Sequence, residues 1–223
     1  YSQIELRVLA HISQDETLIE SFKNNHDIHK KTAAEVFVVS TDMVTSLMRN
    51  RAKAVNFGII YGISDYGLSK DLKITRKEAK LYIDSYFKRY PKVKEYMEDI
   101  VTQGKEKGYV TTILNRIRYI PELSSPNAIK RNFGERMAMN TPIQGSAADI
   151  IKIAMVGVYK ELKGNNMKSK LILQVHDELV IETHKNEIEE VKKILKEKME
   201  KAVSLCVPLV ADIKMGDSWF HVK

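Results

Sequence analysis

Apolar positions along the first half of the chain recur at steps of three and four residues, the spacing of helix faces. Residues 1–5 read as a short strand, which runs into a helix carrying Leu6, Leu9 and Ile12. Residues 15–23 and 27–37 read as two more short helices. Ser40-Thr41-Asp42 is a cluster of capping residues, and it predicts a long helix to about Tyr61, ended by Gly62. A further helical piece covers residues 64–72. Thr75 and Glu78 stand three apart, the capping-box spacing, ahead of a helix that reaches Arg89. Pro91 suits the first turn of the next helix, which ends near Gly108.

The pattern then changes. Residues 109–114 are β-branched and aromatic and read as a strand, followed by a loop over 115–126 that holds Arg116 and Arg118. Residues 127–140 and 142–163 read as helices, separated or kinked at Thr141-Pro142. Apolar strands at 170–175 and 178–183 flank His176-Asp177, a hairpin by length and composition. A charged helix over 185–204 and a strand over 208–215 complete the series. Helices crowd the first two-thirds and strands gather in the last third, so the predicted class is α+β.

Composition narrows the partners. The 223 residues carry a formal net charge of +7, which makes polyanions plausible partners, nucleic acid first. The single Cys206 excludes an internal disulfide framework and a cysteine-based zinc site. No apolar run approaches a membrane span and no signal-peptide pattern is present, so the expectation is a cytoplasmic protein with no membrane partner. Residue 1 is Tyr, and residues 1–9 already read as core structure, as in a piece of something longer.

Four constellations carry candidate chemistry. In the run over residues 45–62, Arg49, Lys53, Phe57 and Tyr61 stand four apart. On a helix each such step drifts by only about 40°, so two cations and two aromatics share one face. That suits a ligand with a charged tail and a flat head, such as a nucleotide; basic surface positions beside two core aromatics would give the same pattern. Gly58 and Gly62 each cost a helix about 1 kcal/mol, which points to close backbone approach or a hinge. In the second, His176-Asp177-Glu178 interrupts two apolar strands, and carboxylates at a buried hairpin tip need a cationic partner. A turn's ordinary preference for Asp accounts for one acid; neighbouring acids suit a hard cation such as Mg²⁺. In the third, Arg136, Asn140 and Gln144 step by four along a helix and offer fork-shaped groups to bases or a backbone, or simply form a solvated face. In the last, Gln3 and Glu5 lie on the opening strand, with His29 in a nearby Asp-Ile-His. Taken singly, these three have ordinary structural explanations. The charges over 185–201 are read as solvated face.

Together these residues resemble the polymerase domain of family A DNA polymerases, the bacterial DNA polymerase I group, along the whole chain. Y-S-Q-I-E-L-R is similar to motif A, R-N-R-A-K-A-V-N-F-G-I-I-Y-G to motif B on the fingers' O helix, and Q-V-H-D-E to motif C; N-T-P-I-Q-G, D-I-H and G-D-S-W agree. The resemblance implies a helical fingers subdomain over 9–138 and part of an antiparallel-sheet palm, 1–8 and 139–223. It implies two Mg²⁺ ions held by Asp177 with Glu178 beside it and the Tyr1 backbone carbonyl. Arg49, Lys53 and His29 would meet the triphosphate of an incoming dNTP, with Lys53 able to protonate the leaving pyrophosphate. Gln3 would join the dNTP site, Phe57 would pack on sugar and base, Tyr61 would sit at the template position, and Glu5 would crowd the sugar 2′ position. Arg136, Asn140, Gln144 and His176 would track the minor groove of primer–template DNA.

The family's motif A begins Asp-Tyr-Ser, whereas this chain begins Tyr1-Ser2. The expectation is therefore a bacterial, nucleoid-associated parent with an N-terminal polymerase segment, and a chain that by itself is inactive or nearly so. A single-subunit RNA polymerase is a competing reading, against which Glu5 and Phe57 speak. A non-catalytic DNA-binding fragment or a split-polymerase subunit is another.

Overall fold

The computed structural model describes residues 1–24 and 26–222. The chain opens with three helices, α1 (Ile4–Ser13), α2 (Glu16–Lys23) and α3 (Ile28–Phe37). Their starts follow from local chemistry. Asp15 accepts from the Leu18 N–H at 3.0 Å, and Asp27 from those of His29 and Lys30, both at 3.0 Å. Each bond satisfies a main-chain donor that the first helical turn leaves open.

The expected long helix begins later than its capping cluster suggested. Thr41–Met43 forms only a 3₁₀ turn, and α4 (Ser46–Ile60) is capped instead by Thr45, which accepts from the Met48 N–H at 3.2 Å. Tyr61 closes α4 and Gly62 leaves it at φ 61°, a left-handed value that glycine adopts without penalty. Then follow α5 (Asp65–Leu72), α6 (Arg76–Arg89) with the Thr75–Glu78 capping box formed in both directions, and α7 (Pro91–Lys107), closed by Gly108 at φ 77°.

The segment expected as a loop holds structure. β1 (Tyr109–Thr111) pairs antiparallel with β2 (Ile117–Tyr119), and Pro121–Ser124 makes a 3₁₀ turn. The arginines at 116 and 118 thus sit at a strand rather than in free loop. The two helices expected around Pro142 are one, α8 (Ala128–Gly164), 37 residues and about 55 Å long. Proline removes one main-chain bond, but Ala138, Ile143 and Ile150 are buried on either side of it, and that packing keeps the helix continuous. β3 (Lys170–Val175) and β4 (Glu178–Glu182) form the expected hairpin, with a bulge between Leu171 and Leu173. The charged helix is α9 (Ile188–Glu200), preceded by a 3₁₀ turn.

Two expected strands do not form. At residues 1–5, Gln3 takes a left-handed φ of 56° and turns the chain into α1. The segment 208–215 receives one main-chain bond from this region, Ser2 N–H to Val210 O at 2.8 Å. One bond is not a ladder, and strand conformation needs a paired neighbour to count as sheet.

The class is α+β, mostly helical with two small antiparallel sheets. The main core gathers Leu6 and Leu9 of α1, Ile60 of α4, Tyr86 of α6 and Ile143 and Ile150 of α8. A smaller core packs Leu171, Leu179 and Ile181 of the hairpin onto Val158 and Leu162 of α8 and Val191 of α9. The hairpin's other face is open to solvent, with Ile172 and Leu173 exposed, and its tip is not the buried one expected, with His176 and Glu178 exposed and Asp177 half-buried. Among the described residues no helix is long and apolar enough to cross a membrane.

Candidate active site

The site is assembled from three pieces: the α3–α4 pair, the junction of α4 with α8, and the hairpin tip. On α4, Arg49, Lys53 and Phe57 occupy one face, as their spacing predicted, and α3 lies alongside it. Arg49 Nε donates to Asp27 Oδ2 at 2.7 Å, while the other oxygen of the same carboxylate caps α3. Burial raises the Asp27 pKa, but the Arg49 bond and the Lys30 N–H outweigh it, and the net shift is downward.

His29 is buried next to this pair. Its ring centroid is 6.0 Å from that of Phe57, and Lys53 Nζ lies 5.9 Å from the Phe57 ring. Burial, then the Arg49 and Lys53 cations, push the His29 pKa down to about 4, with Asp27 opposing them. The imidazole is therefore neutral at pH 7, a hydrogen-bonding group within reach of the charge of two cations. Such an arrangement offers an anion two charges and a donor at one end of α4.

At the other end of α4, Tyr61 accepts from Gln144 Nε2 of α8 at 3.0 Å. Glu5 hydrogen-bonds to both Gln144 and Tyr61. Its pKa is raised, first by burial and also by the charge of Asp177, while those two hydrogen bonds oppose the rise. Three sequence-predicted residues, Glu5 of α1, Tyr61 at the end of α4 and Gln144 of α8, thus converge, and the charge of Asp177 on the hairpin reaches Glu5. Gly62 permits the approach: a Cβ there would stand 2.5 Å from Met139 Cε and 3.2 Å from Arg136 Cγ.

The hairpin turn has only two residues, His176 and Asp177, since Val175 pairs directly with Glu178. His176 holds φ 51° and its carbonyl accepts from Gln174 Nε2 at 2.9 Å. The left-handed backbone of a non-glycine residue is costly, and such positions cluster at functional sites. The Tyr1 main-chain nitrogen donates to the Asp177 carbonyl at 2.9 Å, which sets the start of the chain against the turn. At the hairpin's base, Glu187 accepts from the N–H groups of Lys168 and Ser169 and from the Ser169 hydroxyl, at 2.6–2.9 Å. The Ser169 hydroxyl and those amides hold its pKa down to about 2.

Other sequence-predicted residues stand apart from these contacts. Gln3 sits at the N-cap of α1 and its side chain makes no capping bond. Glu178 opens β4 and is exposed. Arg136 lies over the Phe133 ring at 6.0 Å, and Asn140 Oδ1 is buried without a partner. Among the described residues no group of three or more His, Cys, Asp or Glu is placed to hold a metal. Asp177 nonetheless offers hard oxygen near Glu5 and the Tyr1 main chain. That set suits Mg²⁺, which binds through one or two carboxylates and takes its remaining oxygens from water and phosphate.

Two residues of the site escaped the sequence reading. Asp27 was visible only as a neighbour of His29, although an Asp before a helix is a capping signal. Asn56 was hidden in A-V-N-F-G-I-I, where a polar residue amid an apolar run was the available sign.

A helical body carrying cations and rings thus stands against a carboxylate-tipped hairpin. Residues 1–221 match the sequence model of DNA polymerase family A, and the chain belongs to that family. It is 60% identical over its full length to a DNA polymerase I of Caldicellulosiruptor bescii, covering 26% of that protein. It is 61% identical to a DNA polymerase I of Bacillus subtilis, again over all of this chain and 25% of the relative. The chain thus spans about a quarter of the length of these relatives. Its fold is similar to the POL domain of Pol1 from M. smegmatis, solved in complex with DNA primer-template and dNTP. The TM-score is 0.91 at 46% identity, covering 94% of this chain and 37% of that one.

Proposed function

We propose that these residues serve template-directed DNA synthesis, joining the α-phosphate of a dNTP to a primer 3′-OH in a polymerase of the relatives' extent. The observation that carries the reading is the course of α4. Its Arg49 end bears two cations beside a neutral His29, and its Tyr61 end meets Gln144 and Glu5, which in turn feels the charge of Asp177. One rigid helix thereby links an anion grip to a carboxylate turn.

In this reading Arg49, Lys53 and His29 hold the triphosphate and neutralise charge that develops on it. In the same reading Lys53 gives a proton to departing pyrophosphate. Phe57 packs on the sugar and base, Gln3 lies at the nucleotide's edge, and Tyr61 marks the templating position. Glu5 leaves no room for a 2′-hydroxyl and so selects deoxyribonucleotides. Arg136, Asn140, Gln144 and His176 read the shape of the primer–template minor groove. The fingers reading covers 9–138 and the palm 1–8 and 139–223; α8 crosses that boundary without a break.

Family A polymerases use divalent metal ions. Asp177, with Glu178 and the Tyr1 carbonyl, would hold Mg²⁺, two ions in the complete site, and their charge would stabilise the attacking and leaving oxygens.

The test is primer extension by a polymerase carrying these residues, scored against each of the four templating bases with dNTPs and with rNTPs. Incorporation that follows the template and prefers dNTPs is expected. Untemplated addition, or equal use of rNTPs, would contradict the reading; the second outcome would favour an RNA polymerase.

A further inference from the structure

The His29 ring is held by a buried relay that the reading above does not use. Thr32 lies one turn after His29 on α3 and is 1% exposed; Asn56, on α4, is 0% exposed. The Thr32 hydroxyl donates to Asn56 Oδ1 at 3.1 Å. The Asn56 amide nitrogen stands 2.9 Å from His29 Nδ1.

A carboxamide has one accepting end and one donating end. With Oδ1 occupied by Thr32, the NH₂ group faces the imidazole. Nδ1 must then accept, which leaves the ring proton on Nε2. Burying an amide is costly unless both ends are satisfied, and here both are. The charged groups facing His29 are Asp27 from its own helix and Arg49 and Lys53 from α4, and the ring beside it is Phe57. None of them supplies a second hydrogen bond to Nδ1 that would compete with Asn56.

We infer that Asn56 is a positioning residue: its amide, oriented by Thr32, fixes His29 as the Nε2–H tautomer and so presents a neutral N–H donor. The use of that donor rests on the phosphate-contact reading of His29. The tautomer itself does not.

Long-range ¹H–¹⁵N spectra of the ¹⁵N-histidine-labelled chain test this, with the His29 signals among the six histidines assigned by their loss in His29→Gln. At pH 7 the unaltered chain should show His29 Nδ1 unprotonated and Nε2 protonated. Asn56→Asp leaves only an acceptor, so Nδ1 should become protonated and its signal move to the N–H position. Thr32→Val frees the amide to turn, and the two nitrogens should shift toward an average of both tautomers. A protonated Nδ1 in the unaltered chain overturns the inference, as does an unchanged His29 spectrum in either folded variant. Should Asn56→Asp not fold, Thr32→Val and the unaltered chain still decide. Adding a dNTP with Mg²⁺ separates the two claims. No movement of the Nε2 signal in a chain with the expected tautomer sinks the phosphate contact alone. Movement in a chain with protonated Nδ1 sinks the tautomer alone.

Discussion

Arg49→Ala should remove nucleotide grip while sparing the fold. The Arg49–Asp27 pair is short, 2.7 Å, but the two side chains are 41% and 38% exposed. Pairs with that exposure contribute about 0–1 kcal/mol. At roughly 2–4 °C per kcal/mol for a chain of this size, Tm should fall by no more than about 4 °C. The loss at the substrate should be larger. A hydrogen bond to a charged phosphate is worth about 1.5–3 kcal/mol, which is roughly a 10- to 150-fold fall in kcat/KM for dNTP. Thermal unfolding of the chain followed by circular dichroism gives the first number, and single-nucleotide incorporation across a dNTP series by a polymerase carrying these residues gives the second. Asp27→Asn is the control. Asn still caps α3 but no longer holds Arg49 by charge, so kcat/KM should stay level or rise. Two results would refute the reasoning: an unchanged kcat/KM in Arg49→Ala, or an Asp27→Asn defect as deep as that of Arg49→Ala. The second would mean that the ion pair, and not the free cation, is what nucleotide binding needs.

Two further predictions concern stability. His29 has a pKa near 4 in the folded chain against 6.5 ordinarily, so between those values the unfolded chain binds more protons. Its contribution is full above pH 6.5 and is lost as pH falls through 4. The unaltered chain should therefore lose up to about 3 kcal/mol more than His29→Gln between pH 7 and 4 in urea unfolding; parallel pH dependence in both would rule this out. Gly134→Ala gains about 1 kcal/mol of helix propensity. Its Cβ would however stand 2.8 Å from the Leu123 main-chain nitrogen and 2.9 Å from the Glu122 carbonyl carbon. Backbone cannot swing away, so a net loss of about 1–3 kcal/mol is expected in the same assay, and a rise in stability would show that the 121–124 turn yields freely.

Helix boundaries were legible where a side chain closes the local bonding. Asp15, Asp27, Ser64, Thr75, Pro91 and Gly108 all mark ends within a residue of their expected places. Legibility failed where neighbouring residues compete for one role or a distant neighbour decides. Ser40-Thr41-Asp42 has the chemistry of a cap, but Thr45 accepts the bond that starts α4. Pro142 has the chemistry of a break, yet buried residues on both sides carry α8 through it. Residues 208–215 have strand composition, and composition does not supply a paired neighbour. For the site, a step of four placed Arg49, Lys53 and Phe57 on one face without further knowledge. The meeting of Glu5, Tyr61 and Gln144 joins parts of the chain up to 139 residues apart, and no local pattern encodes it. Asn56 is similar: its purpose is visible only once Thr32 and His29 lie against it.

The α4 grip and the hairpin carboxylate are proposed to form a single nucleotidyl-transfer site. Asp177→Ala tests it most directly, because its side chain is 39% exposed and packs into no core. Single-turnover incorporation of one dNTP and the Kd for primer–template DNA should be measured together on a polymerase carrying these residues. The rate should be lower by roughly 10²- to 10⁴-fold, the several kcal/mol that metal-held charge contributes, with DNA binding unchanged. An unchanged rate, or a rate loss matched by an equal loss of DNA affinity, would contradict it.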